Sequence, residues 1–353
     1  MVVALVAVTV LQHVTTDVYS LTPGVAQPVA PLITVSGLAT DPPRDNILLT
    51  DVYLTPLSAW QWLTSHLQSH VQYVTSGQLV EPGIPTSELN AQGYLERYDS
   101  KEAAEVSALR ALGWTIPSTP DGAVVVGVVA SSPAHSAGVH VADRVVALNG
   151  RAVTTACSLV RAMEPVRPGN TVSLALARAR VSASGSITWR ATRVVRLRVT
   201  RSPPNGGQVG CGGLHADRAW LGVEIEDGVH YSLPGRITIN TADIGGPSAG
   251  LAMALTLVEL LSSGSITGRT VVAATGTISP SGLVGDVGGV AEKTIAVERA
   301  GATLFLVPPV EVATARAAAS PGLTVMGVSS LAQALLDLRE RGGAPPTPLT
   351  RPR

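Results

Sequence analysis

Of the 25 basic residues in this 353-residue chain, only Lys101 and Lys293 are lysines; the rest are arginine. The distinction is chemical, because arginine keeps its proton in any protein environment while a desolvated lysine can lose it and become a base. Lys101 stands in ERYDSKEAAE, among acidic and polar neighbours, and reads as a solvated helix residue. Lys293 stands in VGDVGGVAEKTIAVERAG, where a glycine pair opens a helix. In the first turn of that helix the positive end of the dipole opposes an ammonium, and burial would oppose it too, so the amine is expected to titrate low. The competing reading pairs Lys293 with Glu292 or Asp286 on a solvated face.

Ser248 supplies the complementary chemistry. It lies in Gly246-Pro247-Ser248-Ala249-Gly250, between a strand and the apolar helix AGLAMALTLVELL. At a helix N-terminus the free N–H groups and the dipole favour negative charge, so an oxyanion can be held there. The plainer alternative is a serine that only caps the helix. The same five residues satisfy GxSxG, whose usual triad continues with an acid and then a histidine. No histidine follows Ser248, which excludes that order; a base from His215 or His230 upstream would need a different fold. A neutral Lys293 amine could take the hydroxyl proton instead.

Composition narrows the rest. Lys+Arg 25 and Asp+Glu 25 cancel, leaving no summed field to attract nucleic acid. The histidines are scattered without an HExxH or HxH pattern, so neither a metal nor any other cofactor is expected. No GxxxxGK[ST] loop is present, which argues against an ATP-driven motor. Cys157 and Cys211, the only cysteines, are too few for a disulfide framework and read as unpaired thiols, with a single disulfide left open.

At roughly 150 residues per domain the length suits about two domains and a remainder. Residues 1–20 begin with an apolar run, Met1 to Leu11, too short to span a bilayer; it reads as a buried element or as part of a membrane anchor. Residues 21–118 mix Pro-rich connectors with helices. Leu57, Trp60, Leu63 and Leu67 recur at helical spacing, and Ser100 is expected to cap a helix that runs through Leu109 to Gly113. From about 119 to 201 short strands alternate with turns, including Asn149-Gly150. Residues 202–217 read as a Gly/Pro linker. Between 218 and 341 strands alternate with helices, an α/β pattern, and 342–353 is too polar and proline-rich to be expected to pack.

Two resemblances sharpen this. SPAHSAGVHVADRVVALNG and its neighbours resemble a PDZ domain, a module that takes an extended peptide as an added strand. Ala142-Asp143 stands where that family usually has Gly-Asp. IGGPSAGLAM, VVAATGTI, GLVGDVGGVAEK and GATLFLVP follow one another as in the proteolytic domain of Lon-type serine peptidases. Together they resemble the bacterial PDZ-containing Lon-like proteases. The fold class this implies is an α/β (α+β) Lon-type proteolytic domain, preceded by a β-rich PDZ domain and a mixed N-terminal region.

The resemblance implies a serine–lysine dyad, with Ser248 as nucleophile, Lys293 as general base and Thr275 orienting the lysine. Gly245 replaces an acidic residue frequent in Lon, with Asp243 two residues back, and Asp286 replaces a proline, adding a carboxylate near Lys293. It further implies ATP-independent cleavage of flexible or unfolded polypeptides, a peptide ligand for the PDZ domain, a hexameric ring by analogy, and a single-pass membrane protein facing outside the cytoplasm. The contrasting expectation is a non-catalytic PDZ adaptor with a Lon-like assembly domain. A third, an esterase, would depend on an upstream histidine.

Overall fold

The computed structural model describes residues 9–42, 44, 46–65, 72–75, 77, 86–181, 187–203, 211, 218–241 and 246–350. Its chain divides into two compact units: Met1–Val80 with Asp99–Ile116 and Leu233–Arg353, and Glu81–Tyr98 with Pro117–Ser232. The N-terminal part runs β1 (Thr15–Pro28), β2 (Ile33–Ser36), β3 (Ile47–Ser58), α1 (Ala59–Ser65), β4 (Gln72–Thr75) and the long helix α2 (Thr86–Ala111). The middle runs β5 (Ser118–Val128), α3 (Pro133–Ser136), β6 (Arg144–Leu148), β7 (Arg151–Ala152), α4 (Ala156–Met163), β8 (Thr171–Val181), β9 (Ile187–Arg198), β10 (Thr200–Arg201), β11 (Ala219–Trp220) and β12 (Val223–Tyr231). The remainder runs β13 (Arg236–Ile239), α5 (Gly250–Leu261), β14 (Val272–Ala274), β15 (Thr277–Ile278), β16 (Val284–Gly285), α6 (Val290–Arg299), β17 (Leu304–Val307), α7 (Val312–Ala318), β18 (Thr324–Gly327) and α8 (Leu331–Glu340).

The middle unit is a sheet of order β12-β5-β6-β8-β9, with β7 paired to β6. Val172, Leu174 and Leu176 of β8 are buried while Ser173 and Ala175 between them are half-buried, the period of two that puts one face of a sheet on a core. Asn149 and Gly150 both take left-handed backbone, φ 51° and 78°, as a two-residue hairpin loop requires. Ala142 also sits at φ 68°, a conformation that costs a residue with a Cβ roughly 1–2 kcal/mol and that the glycine usual in the PDZ family takes freely. Helix α4 starts with a reciprocal cap between Thr155 and Ser158.

Two expectations are corrected here. The strand β12 pairs antiparallel with β5 along nearly its whole length and β11 pairs with β10, so residues 219–231 belong to the middle unit rather than open the C-terminal domain. Cys157, on α4, is joined to Cys211 in a disulfide, not left as a free thiol. Spacing could not reveal this, since the partners are 54 residues apart.

The other unit is built on a sheet of order β18-β17-β14-β3-β1-β4. The strands β14 and β17 are short apolar runs, buried at every residue, as expected of parallel strands covered on both faces. Helix α5 is likewise buried along its full length. Leu48 of β3 and Val290 and Val297 of α6 belong to one core with Ala273, Phe305, Val307 and Val325. The N-terminal residues are therefore no separate mixed region: β1 and β3 are interior strands of this sheet, with β3 parallel to β14.

Two further readings change. Ser100 does not cap a helix, because α2 starts at Thr86 and runs unbroken past it. The tail packs as far as Thr350: Ala344 N–H donates to Ser265 O, Leu349 N–H to Leu261 O, and Ala39 N–H to Thr350 Oγ1. Its prolines and small residues lie along the loop after α5, whose backbone groups satisfy those of the tail. The apolar run Met1 to Leu11 falls largely outside the described residues, and so does Leu67. No helix among the described residues is long and apolar enough to cross a membrane.

Candidate active site

Ser248 is the middle residue of a short 3-10 turn, Pro247–Ala249, that runs into α5. Gly246, at φ 82° and ψ 165°, enters that turn in a conformation essentially restricted to glycine. The Ser248 carbonyl accepts from Gly276 N–H at 2.9 Å and from Thr275 Oγ1 at 3.2 Å. The Gly276 carbonyl in turn accepts from Leu251 N–H at 3.1 Å. The end of β14 thus grips the serine turn from both sides. The Ser248 N–H has no acceptor among the described residues, so a backbone donor stands beside the hydroxyl at the start of a helix.

Lys293 is the fourth residue of α6, and its N–H closes the first turn on Gly289 O at 2.9 Å. The glycine pair has a physical reason. Gly289 is left-handed at φ 68°, and a Cβ there would stand 3.0 Å from Leu21 on β1 and from Val52 on β3, so only glycine lets the helix begin this close to the sheet. Lys293 is 3% exposed. Burial lowers its pKa from 10.5 to about 8, against the opposing pull of Asp51 and Glu311. Its Nζ donates to Thr275 Oγ1 at 3.2 Å. Among the described residues it forms no salt bridge, which sets aside pairing with Glu292 or Asp286 on a solvated face.

Thr275 is therefore the hub. Fully buried, it accepts from the lysine and donates to the serine carbonyl, which brings Ser248, Thr275 and Lys293 together. No direct hydrogen bond joins Ser248 Oγ to Lys293 Nζ among the described residues; catalytic contacts are often longer without substrate and tighten when it binds. The arrangement offers a hydroxyl, a buried amine with a lowered pKa and a free backbone N–H, the parts needed for acyl transfer.

The carboxylates near the amine are not the ones expected. Asp51, on β3, and Glu311 act on Lys293. Asp286 is exposed and acts on Glu311, whose pKa is raised by partial burial first and by Asp286 second, against the pull of Lys293. Asp51 went unnoticed in the sequence because nothing local links TDVYL to a lysine some 240 positions on. Ser100 was also missed as a site residue: its hydroxyl donates to Pro247 O at 3.0 Å.

Lys101 is half-buried on α2, close enough to Glu105 to oppose the burial that pushes that carboxyl up to about 8. His230 lies on β12, in the unit that does not contain Ser248, whereas His215, Asp243 and Gly245 fall outside the described residues. No group of three or more His, Cys, Asp or Glu residues among the described ones could hold a metal ion.

Comparison with known proteins agrees with the two units. Residues 110–187 match the PDZ domain family, and residues 229–327 match the Lon protease (S16) C-terminal proteolytic domain. The chain is 38% identical over 98 residues to Lon protease 1 of Herpetosiphon aurantiacus, which covers 27% of this chain and 11% of that protein. It is 43% identical over 97 residues to the Lon protease of Methylocella silvestris, covering 26% of this chain and 11% of that protein. The chain thus spans about a tenth of the length of the curated relatives it matches. Among solved structures, the PDZ domain of an SdrC-like protein from Listeria monocytogenes aligns at 16% identity with a TM-score of 0.22, covering 30% of this chain and 87% of that one.

Proposed function

Given that this chain carries a PDZ domain and a Lon-type serine peptidase domain, we propose that it is an ATP-independent endopeptidase working through a Ser248–Lys293 dyad. The observation that carries the reading is the state of Lys293: an amine buried to 3% exposure, without an ion pair among the described residues, held by a threonine that also holds the serine. In its neutral form the amine removes the Ser248 proton as Oγ attacks the peptide carbonyl. The oxyanion forms beside the Ser248 N–H, the lysine returns the proton to the leaving amine, and water then releases the acyl group by the same route.

The substrates are flexible or unfolded polypeptides, because nothing in the sequence resembles a nucleotide-binding loop for driving unfolding. The PDZ unit binds a peptide as an added strand, and β12 is one of the two border strands of its sheet. The Cys157–Cys211 disulfide supports a location outside the cytoplasm, since structural disulfides persist in oxidising compartments. Self-association into a hexameric ring is part of the reading by analogy with Lon-type domains alone.

The test compares wild type with Ser248→Ala and Lys293→Arg on casein, with a serine-reactive probe located by mass spectrometry. Both variants should lose turnover to the same floor, because a permanent cation cannot act as a base. Casein cleavage by Lys293→Arg at near the wild-type rate would disprove the dyad. Peptide binding without turnover by the wild type would favour the adaptor.

A further inference from the structure

The turn that carries Ser248 is held from a direction the dyad does not explain. Helix α2 contains two buried serines that behave differently. Ser107 donates to the Ala104 carbonyl within its own helix, the ordinary behaviour of a mid-helix serine. Ser100, 5% exposed, instead donates across 147 residues to the Pro247 carbonyl at 3.0 Å. The same carbonyl accepts from Gly250 N–H. Close approach of the two segments depends on Gly250, where a Cβ would stand 3.1 Å from Ser100 Oγ and 2.9 Å from Ile278 N.

The Pro247 carbonyl and the Ser248 N–H belong to one rigid peptide plane and point in opposite directions. Two donors on the carbonyl fix that plane, and the Ser248 N–H at its other end has no acceptor among the described residues. We propose that Ser100 is a positioning residue of the peptidase, orienting the Pro247–Ser248 peptide so that the Ser248 N–H is ready to donate to the oxyanion. The inference rests on the serine–lysine reading and extends it to a residue of the N-terminal region. Ser100 touches neither substrate nor the reacting hydroxyl. It prevents the plane from turning, so that the donor need not reorganise in the transition state.

The full chain is assayed as wild type, Ser100→Ala, Ser100→Thr and Ser248→Ala, below the melting temperature of the least stable variant. Turnover of a peptide substrate, its pH profile and the rate of Ser248 labelling by a phosphonate probe are read together. Loss of the hydroxyl should lower kcat and labelling about tenfold, with KM changed less than about twofold, because one neutral hydrogen bond is lost from transition-state alignment and not from ground-state binding. The pH midpoint should stay at the wild-type value, since Lys293 is untouched, and Ser100→Thr should recover most of the rate. Should Ser100→Ala fail to fold, Ser100→Cys, of similar shape but a weak donor, takes its place. Wild-type kcat and labelling in the variant that lacks a strong donor, or a loss confined to KM, would overturn the role of Ser100. Turnover that survives in Ser248→Ala would instead remove the serine–lysine reading beneath it.

Discussion

At the scale of single residues, the proposed chemistry depends on keeping one amine dry. With the Lys293 pKa brought down to about 8, the rate should climb roughly tenfold per pH unit below that value and level off above it, as the neutral base becomes fully populated. A pH profile of kcat on a peptide substrate checks this; a flat profile between pH 6 and 9 would exclude the amine as base. The same burial has a stability consequence with a defined sign. Between about pH 8 and 10.5 the unfolded chain holds a proton on this lysine that the folded one has released, so stability rises with pH across that window. Below pH 8 both states are protonated and the folded one bears the full penalty, on the order of 3 kcal/mol. Lys293→Met should therefore be inactive yet harder to melt at pH 7, with the advantage fading towards pH 10.5; thermal melts at several pH values would show it. Ser248 and Lys293, which the structure brings to one threonine, each sit in a distinctive local string, a serine in a glycine turn and a rare lysine after two glycines, while Thr275 is singled out only by the family resemblance. Ser100 and Asp51 were not, because their importance lies in contacts made across the fold, and α2 hides the serine inside an unbroken helix.

At the scale of elements, most of the local reading held where an apolar run was bounded by a strong stop signal. The strand β17 stops at Val307 before a Pro308-Pro309 pair, α4 starts at its Thr155 cap, and α8 is capped by Ser330, which accepts from Gln333 N–H. What failed were assignments that depended on partners. The domain of β12 cannot be read locally because its mate, β5, lies about a hundred residues earlier, and the packing of the tail cannot be read from its composition, which says nothing of the backbone groups beside α5. The disulfide belongs to this scale also. By linking α4 to Cys211 it closes a loop spanning 54 positions, and in the chain-entropy account that contributes up to about 4 kcal/mol. Reduction, or Cys157→Ser, should lower the melting temperature of the PDZ unit while leaving an isolated probe reaction at Ser248 largely intact. Calorimetry with and without reductant tests this, and an unchanged transition would mean that the bond does not form in solution.

At the scale of the whole molecule, the unit that contains Ser248 and Lys293 is assembled from segments on both sides of the PDZ unit. Half of its six-stranded sheet, β1, β3 and β4, precedes the PDZ unit, while β14, β17 and β18 follow it. Cleavage at a protease site inserted after Pro203 should accordingly yield two pieces that co-elute in size-exclusion chromatography even in reductant, retaining activity; separate elution would contradict the pairing of β3 with β14. The dependence runs both ways, because the glycine that opens α6 lies against Leu21 and Val52 on the strands beneath it, and the serine turn is braced from α2. A shortened enzyme cloned from residue 229, as family boundaries alone would suggest, would reach the ribosome without half of its central scaffold. It should accumulate in inclusion bodies unless the missing amino-terminal segment is coexpressed.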